Sequence, residues 1–223
     1  MYGVVRVLSW NLFHGRARPP ARRSLQREFA DALAGWAWDV ALLQEVPPWW
    51  PAALAAEFDV ALTSRNALLP VRRFLAERRP DVMRSGGGSS NAILVREGSI
   101  AVRARRRLRL WPERRVVHAV RLEPSGVWVA NLHAQVHSDA RAQADVSLAA
   151  ATVSRWAGSA PVVFGGDFNL RRLEVPGFAH AGGNFVDHVF ARGLAVEGAA
   201  SVLDHGRLSD HAPVLVRLRR HPG

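Results

Sequence analysis

Apolar runs in this chain repeatedly stop on a cluster of amide, carboxylate or imidazole side chains, and no other feature constrains the fold as much. The stops are Ser9-Trp10-Asn11, Leu43-Gln44-Glu45, Asn131-Leu132-His133, Gly165-Gly166-Asp167-Phe168-Asn169 and Leu208-Ser209-Asp210-His211-Ala212-Pro213-Val214. A strand that ends in such a group delivers it to one rim of a sheet. Several strands doing so describe a polar cluster gathered on a rigid scaffold. Carboxylate oxygens and Asn carbonyls suit a hard cation such as Mg²⁺. Histidines beside them suit proton transfer or anion stabilisation.

The rest of the pattern supplies the scaffold. Val4 to Leu12 reads as a buried strand and Val40 to Gln44 as a second. Between them Leu25, Phe29, Leu33 and Trp36 recur at helical spacing over Ser24 to Ala37. Pro47-Pro48 breaks the chain before a short helix reaching Ala56, and Val60 to Thr63 is a short strand. Residues 64 to 90 are the least regular, with a short helix around Phe74 and a flexible loop at Gly86-Gly87-Gly88-Ser89-Ser90. Asn91 to Val95, Val116 to Leu122 and Val127 to Leu132 are strands, the last two joined by a turn at Pro124-Ser125-Gly126. Ser138 caps a helix whose face carries Ala142, Val146, Ala149, Val153 and Trp156. Val162 to Gly165, Phe185 to Phe190, Ala195 to Val202 and Pro213 to Leu218 complete the strands. Many strands with few helices predict two packed sheets with helices on their outer faces.

Arg103, Arg105, Arg107 and Arg109 alternate along another strand, which puts four guanidinium groups on one face. Such a stripe either protects an exposed edge from pairing or follows a phosphate backbone. Trp49 and Trp50, after Pro47-Pro48, either pack a helix on the core or stack on bases or lipid headgroups.

Length and composition narrow the class. The chain has 223 residues, of which 48% are hydrophobic, and it shows no repeat or compositional break, so a single domain over 1–223 is expected. The absence of cysteine excludes disulfides, thiolate nucleophiles and Cys-ligated zinc. The net charge of +11 favours polyanionic partners such as nucleic acid or anionic membrane surfaces. All of the positive charge is arginine, which fits a coding bias equally well. No secretory pattern opens Met1-Tyr2-Gly3-Val4-Val5-Arg6-Val7, and no apolar run is long enough to span a membrane. The expectation is a cytoplasmic monomer with no protein partner implied.

The polar segments, in this order from Leu8 to Val216, resemble the endonuclease/exonuclease/phosphatase superfamily, the deoxyribonuclease-I-like metal-dependent phosphoesterases. The resemblance implies an α/β fold, a four-layer α/β/β/α sandwich of two mixed sheets. It implies Mg²⁺ (or Mn²⁺) held by Glu45, with Asn11 and Asp210 supporting the metal. It assigns Asp167 to positioning or deprotonating water and Asn169 to holding water or phosphate. His211 would contact phosphate or the attacking water, oriented by Asp187, and His133 would stabilise phosphoryl oxygens or protonate the leaving group. Relatives specialised for abasic-site repair carry tyrosine at the His133 position, so the resemblance points away from that specialisation. Asn91 and Arg115 match substrate-side positions, with Arg114 an equally charged neighbour. His188 reads as structural, and His14, His118, His137, His180, His205 and His221 as surface or structural.

The reaction expected is metal-dependent phosphodiester hydrolysis, with nucleic acid as the substrate and an endo- or exonuclease the leading reading. The alternative is a phosphoesterase for phospholipid headgroups or phosphorylated small molecules, since the same site serves both.

Overall fold

The computed structural model describes residues 4–64 and 66–220. Met1-Tyr2-Gly3 and His221 lie outside the described residues. Two mixed sheets form the centre. The first has the order β11 (Leu194–Val196), β13 (Val214–Arg220), β1 (Val4–Asn11), β2 (Val40–Val46), β4 (Ser90–Val95), β3 (Glu57–Leu62), with β12 (Ser201–Val202) also on β13. The second has the order β5 (Ser99–Arg109), β6 (Arg115–Glu123), β7 (Trp128–His133), β8 (Val162–Asp167), β10 (Asp187–Arg192), β9 (Ala179–Asn184). β1 and β2 pair in parallel, as do β7 and β8; the other pairings are antiparallel.

Helix α1 (Gln26–Gly35) packs Phe29 and Leu33 against Leu8, Trp10, Ala41 and Leu43 on the outer face of the first sheet. Short α2 (Pro51–Leu54) follows β2, and Trp50 is buried against Phe29 at a centroid distance of 5.4 Å. The tryptophan pair therefore packs on the core, with Trp49 partly buried beside it. Helices α3 (Pro70–Arg78) and α4 (Pro80–Met83) project between β3 and β4. Helix α5 (Asp139–Ala157), capped by the Ser138 side chain, covers the second sheet with Ala142, Val146, Ala149 and Val153.

The space between the sheets is graded. At one end it is apolar, filled by Val7, Val40, Val95, Val120, Val129 and Val163. At the other end the same inward positions carry Ser9, Asn11, Gln44, Asn91, Asn131, His133, Asp167 and Asp187, all buried. Period-two alternation explains the grading: residues two apart on a strand share a face, so each strand's last inward residue belongs to the polar end. Asn131 ties the sheets beneath this end. Its amide donates to the carbonyls of Leu43 and Ala92 at 2.9 Å each, and its oxygen accepts from Gln44 Nε2 at 2.8 Å.

Three expectations are corrected. Gly87, Gly88, Ser89 and Ser90 are buried, and residues 84–87 form a tight 3₁₀ turn, so this segment is not a flexible loop. The arginines of β5 do not share one face. Arg103 pairs with Glu57 at 3.0 Å, and both Arg103 and Arg105 lie within 4 Å of buried Asp59. A bulge between Arg107 and Arg109 turns Arg109 to the helix side, where it meets buried Asp145 at 3.0 Å. The stretch predicted as one strand over Ala195 to Val202 splits into β11 and β12, and β9, interrupted by Gly182-Gly183, has no counterpart in the sequence reading.

Candidate active site

Each group of the polar end is placed by its strand. β1 ends on Asn11, whose Nδ2 donates to Asp167 Oδ2 at 2.9 Å while its Oδ1 accepts from the Phe13 amide. β8 ends on Asp167, and the next turn folds back so that the Asn169 amide donates to Asp167 Oδ1 at 3.0 Å. Asn169 has a φ of 53° and anchors its own side chain on the Ala134 carbonyl. This is an Asx turn, and it fixes the carboxylate. Gly166 makes the approach of β7 feasible: with φ at +140°, a Cβ there would sit 1.9 Å from the Leu132 carbonyl oxygen.

Glu45 breaks the alternation of β2. Gln44 already points inward, so a regular strand would send Glu45 to the outer face. Between Leu43↔Ala92 and Val46↔Ser90 the register shifts, leaving Gln44 and Glu45 opposite Asn91 alone. That is a β-bulge, and Glu45 adopts a φ of 51° within it. The bulge aims the carboxylate into the cluster. Burial first, then the Asp167 charge, push the Glu45 carboxyl up to about 7.

The histidines converge on Asp167. His133 Nε2 lies 3.5 Å and His211 Nε2 3.9 Å from Asp167 Oδ2. His211 Nδ1 shares a 2.7 Å hydrogen bond with Asp187 Oδ2. Burial opposes charge on His211, but the Asp187 hydrogen bond and the surrounding carboxylates prevail and raise it to about 9. Burial pushes the Asp187 carboxyl up while its bond to His211 pulls it down, and the hydrogen bond together with the surrounding carboxylates favours the ion-paired form with the proton on the imidazole. His133 is driven well down by burial and by Arg115, so it is neutral.

Asp210 sits on the rim, 2.7 Å from Arg18 Nη2, and acts on Glu45 and Asp187 through its charge. Arg115 is buried and pairs with Glu113. Asn91 is fully buried with neither amide atom hydrogen-bonded. His188 bonds the Leu170 carbonyl and His180, and His118 bonds Asp59, so these rings stay structural.

His14 requires a correction. It is not a surface or merely structural residue: its Nε2 lies 3.1 Å from Glu45 Oε2, and its ring lines the same pocket. It follows β1 in a tight turn with a φ of 56°. The sequence signal was its position, three residues beyond Asn11 and just before Gly15. The pocket, about 270 Å³, is bounded by His14, Glu45, Arg115 and His133 on the catalytic side, by Thr63, Ser64, Asn66, Ser85 and Ser89 beyond, and by Glu113 and Arg114 at its charged edge. A larger cavity of about 750 Å³ opens at the opposite, apolar end of the sandwich, away from these groups.

The donor set fits a hard divalent cation. Glu45 is a half-buried carboxylate whose nearest side-chain partner is the neutral ring of His14, and Asp187 Oδ1 is buried without a hydrogen bond. Asp167, Asp187 and His211 present ligand atoms within 4.8 Å of one another. The Asp187–His211 hydrogen bond accounts for much of that closeness, and both Asp167 oxygens already accept hydrogen bonds, so Glu45 is the carboxylate best placed to lead the metal site.

The sequence profile of the Endonuclease/Exonuclease/phosphatase family matches residues 8–211. The chain belongs to that family. Membership makes it a hydrolytic phosphoesterase, in a family generally dependent on divalent metal. Solved structures share the fold. One from Beutenbergia cavernae superimposes with a TM-score of 0.73 at 20% identity, covering 97% of this chain and 72% of its own. A mannosyl-6-phosphatase of Bacteroides thetaiotaomicron gives 0.71 at 15% identity, covering 96% and 99%. Truncated TDP2 of Caenorhabditis elegans gives 0.65 at 16% identity, covering 97% of both chains. No curated protein matches the sequence. Among the described residues, no helix is long and apolar enough to cross a membrane.

Proposed function

We propose that this phosphoesterase hydrolyses phosphate esters of small, hydroxyl-rich molecules with Mg²⁺ or Mn²⁺. The pocket carries this reading. Its 270 Å³ falls just below the ~300–1,000 Å³ typical of small-molecule sites, and hydroxyl and amide groups face the catalytic residues across it. Such a wall hydrogen-bonds a polyol and does not stack on bases.

In this mechanism Glu45, helped by Asn11 and Asp210, would hold the cation, which supplies charge neutralisation on the phosphoryl oxygens when bound. Asp167, gripped through both oxygens, orients the attacking water and takes its proton. The His211 imidazolium, kept charged by Asp187, donates to a phosphoryl oxygen. Neutral His133 donates a hydrogen bond to the phosphate or to the leaving oxygen. Asn169 holds the water, Arg115 lines the substrate side, and Asn91, buried with both amide atoms unbonded, stands behind it.

The second reading is a nuclease, with DNA or RNA as the phosphodiester. The net charge of +11 favours it. The ion pairing of Arg103, Arg105 and Arg109 weakens it, because those cations already have carboxylate partners. Turnover of sugar and polyol phosphates, nitrophenyl mono- and diesters and plasmid DNA, each with Mg²⁺, Mn²⁺ or chelator, decides between them. We expect the hydroxylated small esters to show the higher kcat/KM. Efficient plasmid cleavage with inert small esters would establish the nuclease reading instead.

A further inference from the structure

Helix α3 is amphipathic in the wrong sense for a helix resting on a protein core. Its only buried residue is Ala76, which packs where Gly87 leaves room: a Cβ on Gly87 would lie 2.4 Å from the Ala76 Cβ. The larger apolar side chains point to solvent. Val71, Phe74 and Leu75 share one helical face and are 71%, 50% and 41% exposed. Leu68 and Leu69 precede them at 63% and 53%, and Val82 of α4 follows at 77%. Single exposed apolar residues need no explanation, but six within fifteen positions, three of them on one helical face, concentrate more exposed apolar surface in this segment than chance exposure accounts for.

The patch is basic. Arg72, Arg73, Arg78, Arg79 and Arg84 are all exposed, against Glu77 and Asp81 as the only carboxylates of residues 66–88. Arg73 is paired with Glu77, and the Arg78 guanidinium lies 3.7 Å over the Phe74 ring, at the border between apolar face and charge. The patch also adjoins the pocket, because Asn66 and Ser85, at either end of the projection, line it. Another wall of the pocket, Glu113 to Arg115, follows an exposed tip at Leu110 and Trp111, 62% and 78% exposed.

We infer that the segment Asn66–Gly88 docks on an anionic lipid surface, with the apolar face of α3 and Val82 inserted and the arginines at headgroup level. The charge selects this occupant. A second copy of the chain would bring arginines against arginines. A nucleic acid would match the charge and leave Leu68, Val71 and Val82 without a partner, since aliphatic side chains do not stack on bases. A basic apolar face of this kind suits the boundary between anionic headgroups and acyl chains. Docking there would bring the pocket mouth to the lipid surface and extend the small-ester reading to phosphoesters of lipid headgroups.

Co-sedimentation with vesicles tests this without depending on turnover. Wild-type protein should bind phosphatidylcholine vesicles containing phosphatidylserine, bind pure phosphatidylcholine vesicles weakly, and release as salt rises. The variant Arg72→Gln/Arg78→Gln/Arg79→Gln should partition about 10²-fold less, at roughly fivefold per arginine. The variant Val71→Ser/Phe74→Ser/Val82→Ser should lose at least about tenfold while keeping the wild-type thermal midpoint, because these side chains are exposed. Equal sedimentation of wild type and the apolar variant, or no binding of wild type to anionic vesicles, overturns the proposal. Loss of DNA binding or of self-association in the apolar variant, without vesicle binding in wild type, also overturns it. Inert small esters would count against the hydrolytic reading alone, since vesicle binding is read separately.

Discussion

Glu45 shows how one residue reports on the whole site. Its carboxyl is raised from an ordinary 4.5 to about 7, so the fold prefers it neutral. A folded-state value above the unfolded one means that, without a cation, stability falls as pH rises from about 4.5 to about 7, by at most ~3 kcal/mol. Glu45→Gln should therefore be more stable than wild type above pH 7 in chelator, and the difference should vanish in acid. Adding Mn²⁺ or Mg²⁺ should raise the melting temperature of wild type but not of Glu45→Gln. Equal shifts in both would show that the cation binds elsewhere. His211 offers a kinetic test. With Asp187 present its imidazolium persists to about 9. In Asp187→Asn the basic limb of the pH–rate profile should move down towards the ordinary 6.5 of histidine, with kcat lowered about 10²-fold or more. An unchanged basic limb would remove His211 from the protonated role.

At the scale of elements, the decisive devices are local departures from regular strands. The bulge that redirects Glu45 cannot be seen in Val40-Ala41-Leu42-Leu43-Gln44-Glu45-Val46, which reads as a smooth apolar run ending in polar groups. The shift of Arg109 away from Arg103 and Arg105 has the same origin, since period-two counting holds only while the register does. Gly165-Gly166 is more legible, because glycine before a catalytic turn suggests close backbone approach. Gly166→Ala should destabilise the fold by on the order of 3 kcal/mol or more, through both the positive φ and the contact with the Leu132 carbonyl. A melting temperature within a degree or so of wild type would contradict this, given the ~2–4 °C per kcal/mol expected at this size.

In the molecule as a whole, two sheets and their outer helices turn scattered motifs into one site, and Asn131 is one of the bonds between the layers, with Asn11–Asp167 and His118–Asp59. Asn131→Ala would remove the side-chain donor to the Leu43 and Ala92 carbonyls and leave the Gln44 amide only its bond to the Leu42 carbonyl. We expect a loss of about 2–4 kcal/mol and weaker metal binding, because the Glu45 bulge adjoins Leu43. Denaturant melts and metal titration of the variant check both effects. The sequence by itself determined the layered fold and most of the polar set. Alternation, helical spacing and strand-end residues are local properties, and Asn11, Asp167, Asp187, His133 and His211 lie at the ends of regular strands or next to them. Only the tertiary structure decided the rest. It brought His14 onto Glu45, engaged Arg103 and Arg105 with carboxylates of the other sheet, and left the apolar face of α3 in solvent. Each of those depends on which surfaces meet across the sandwich, and residues far apart in the chain carry no local pattern of that meeting.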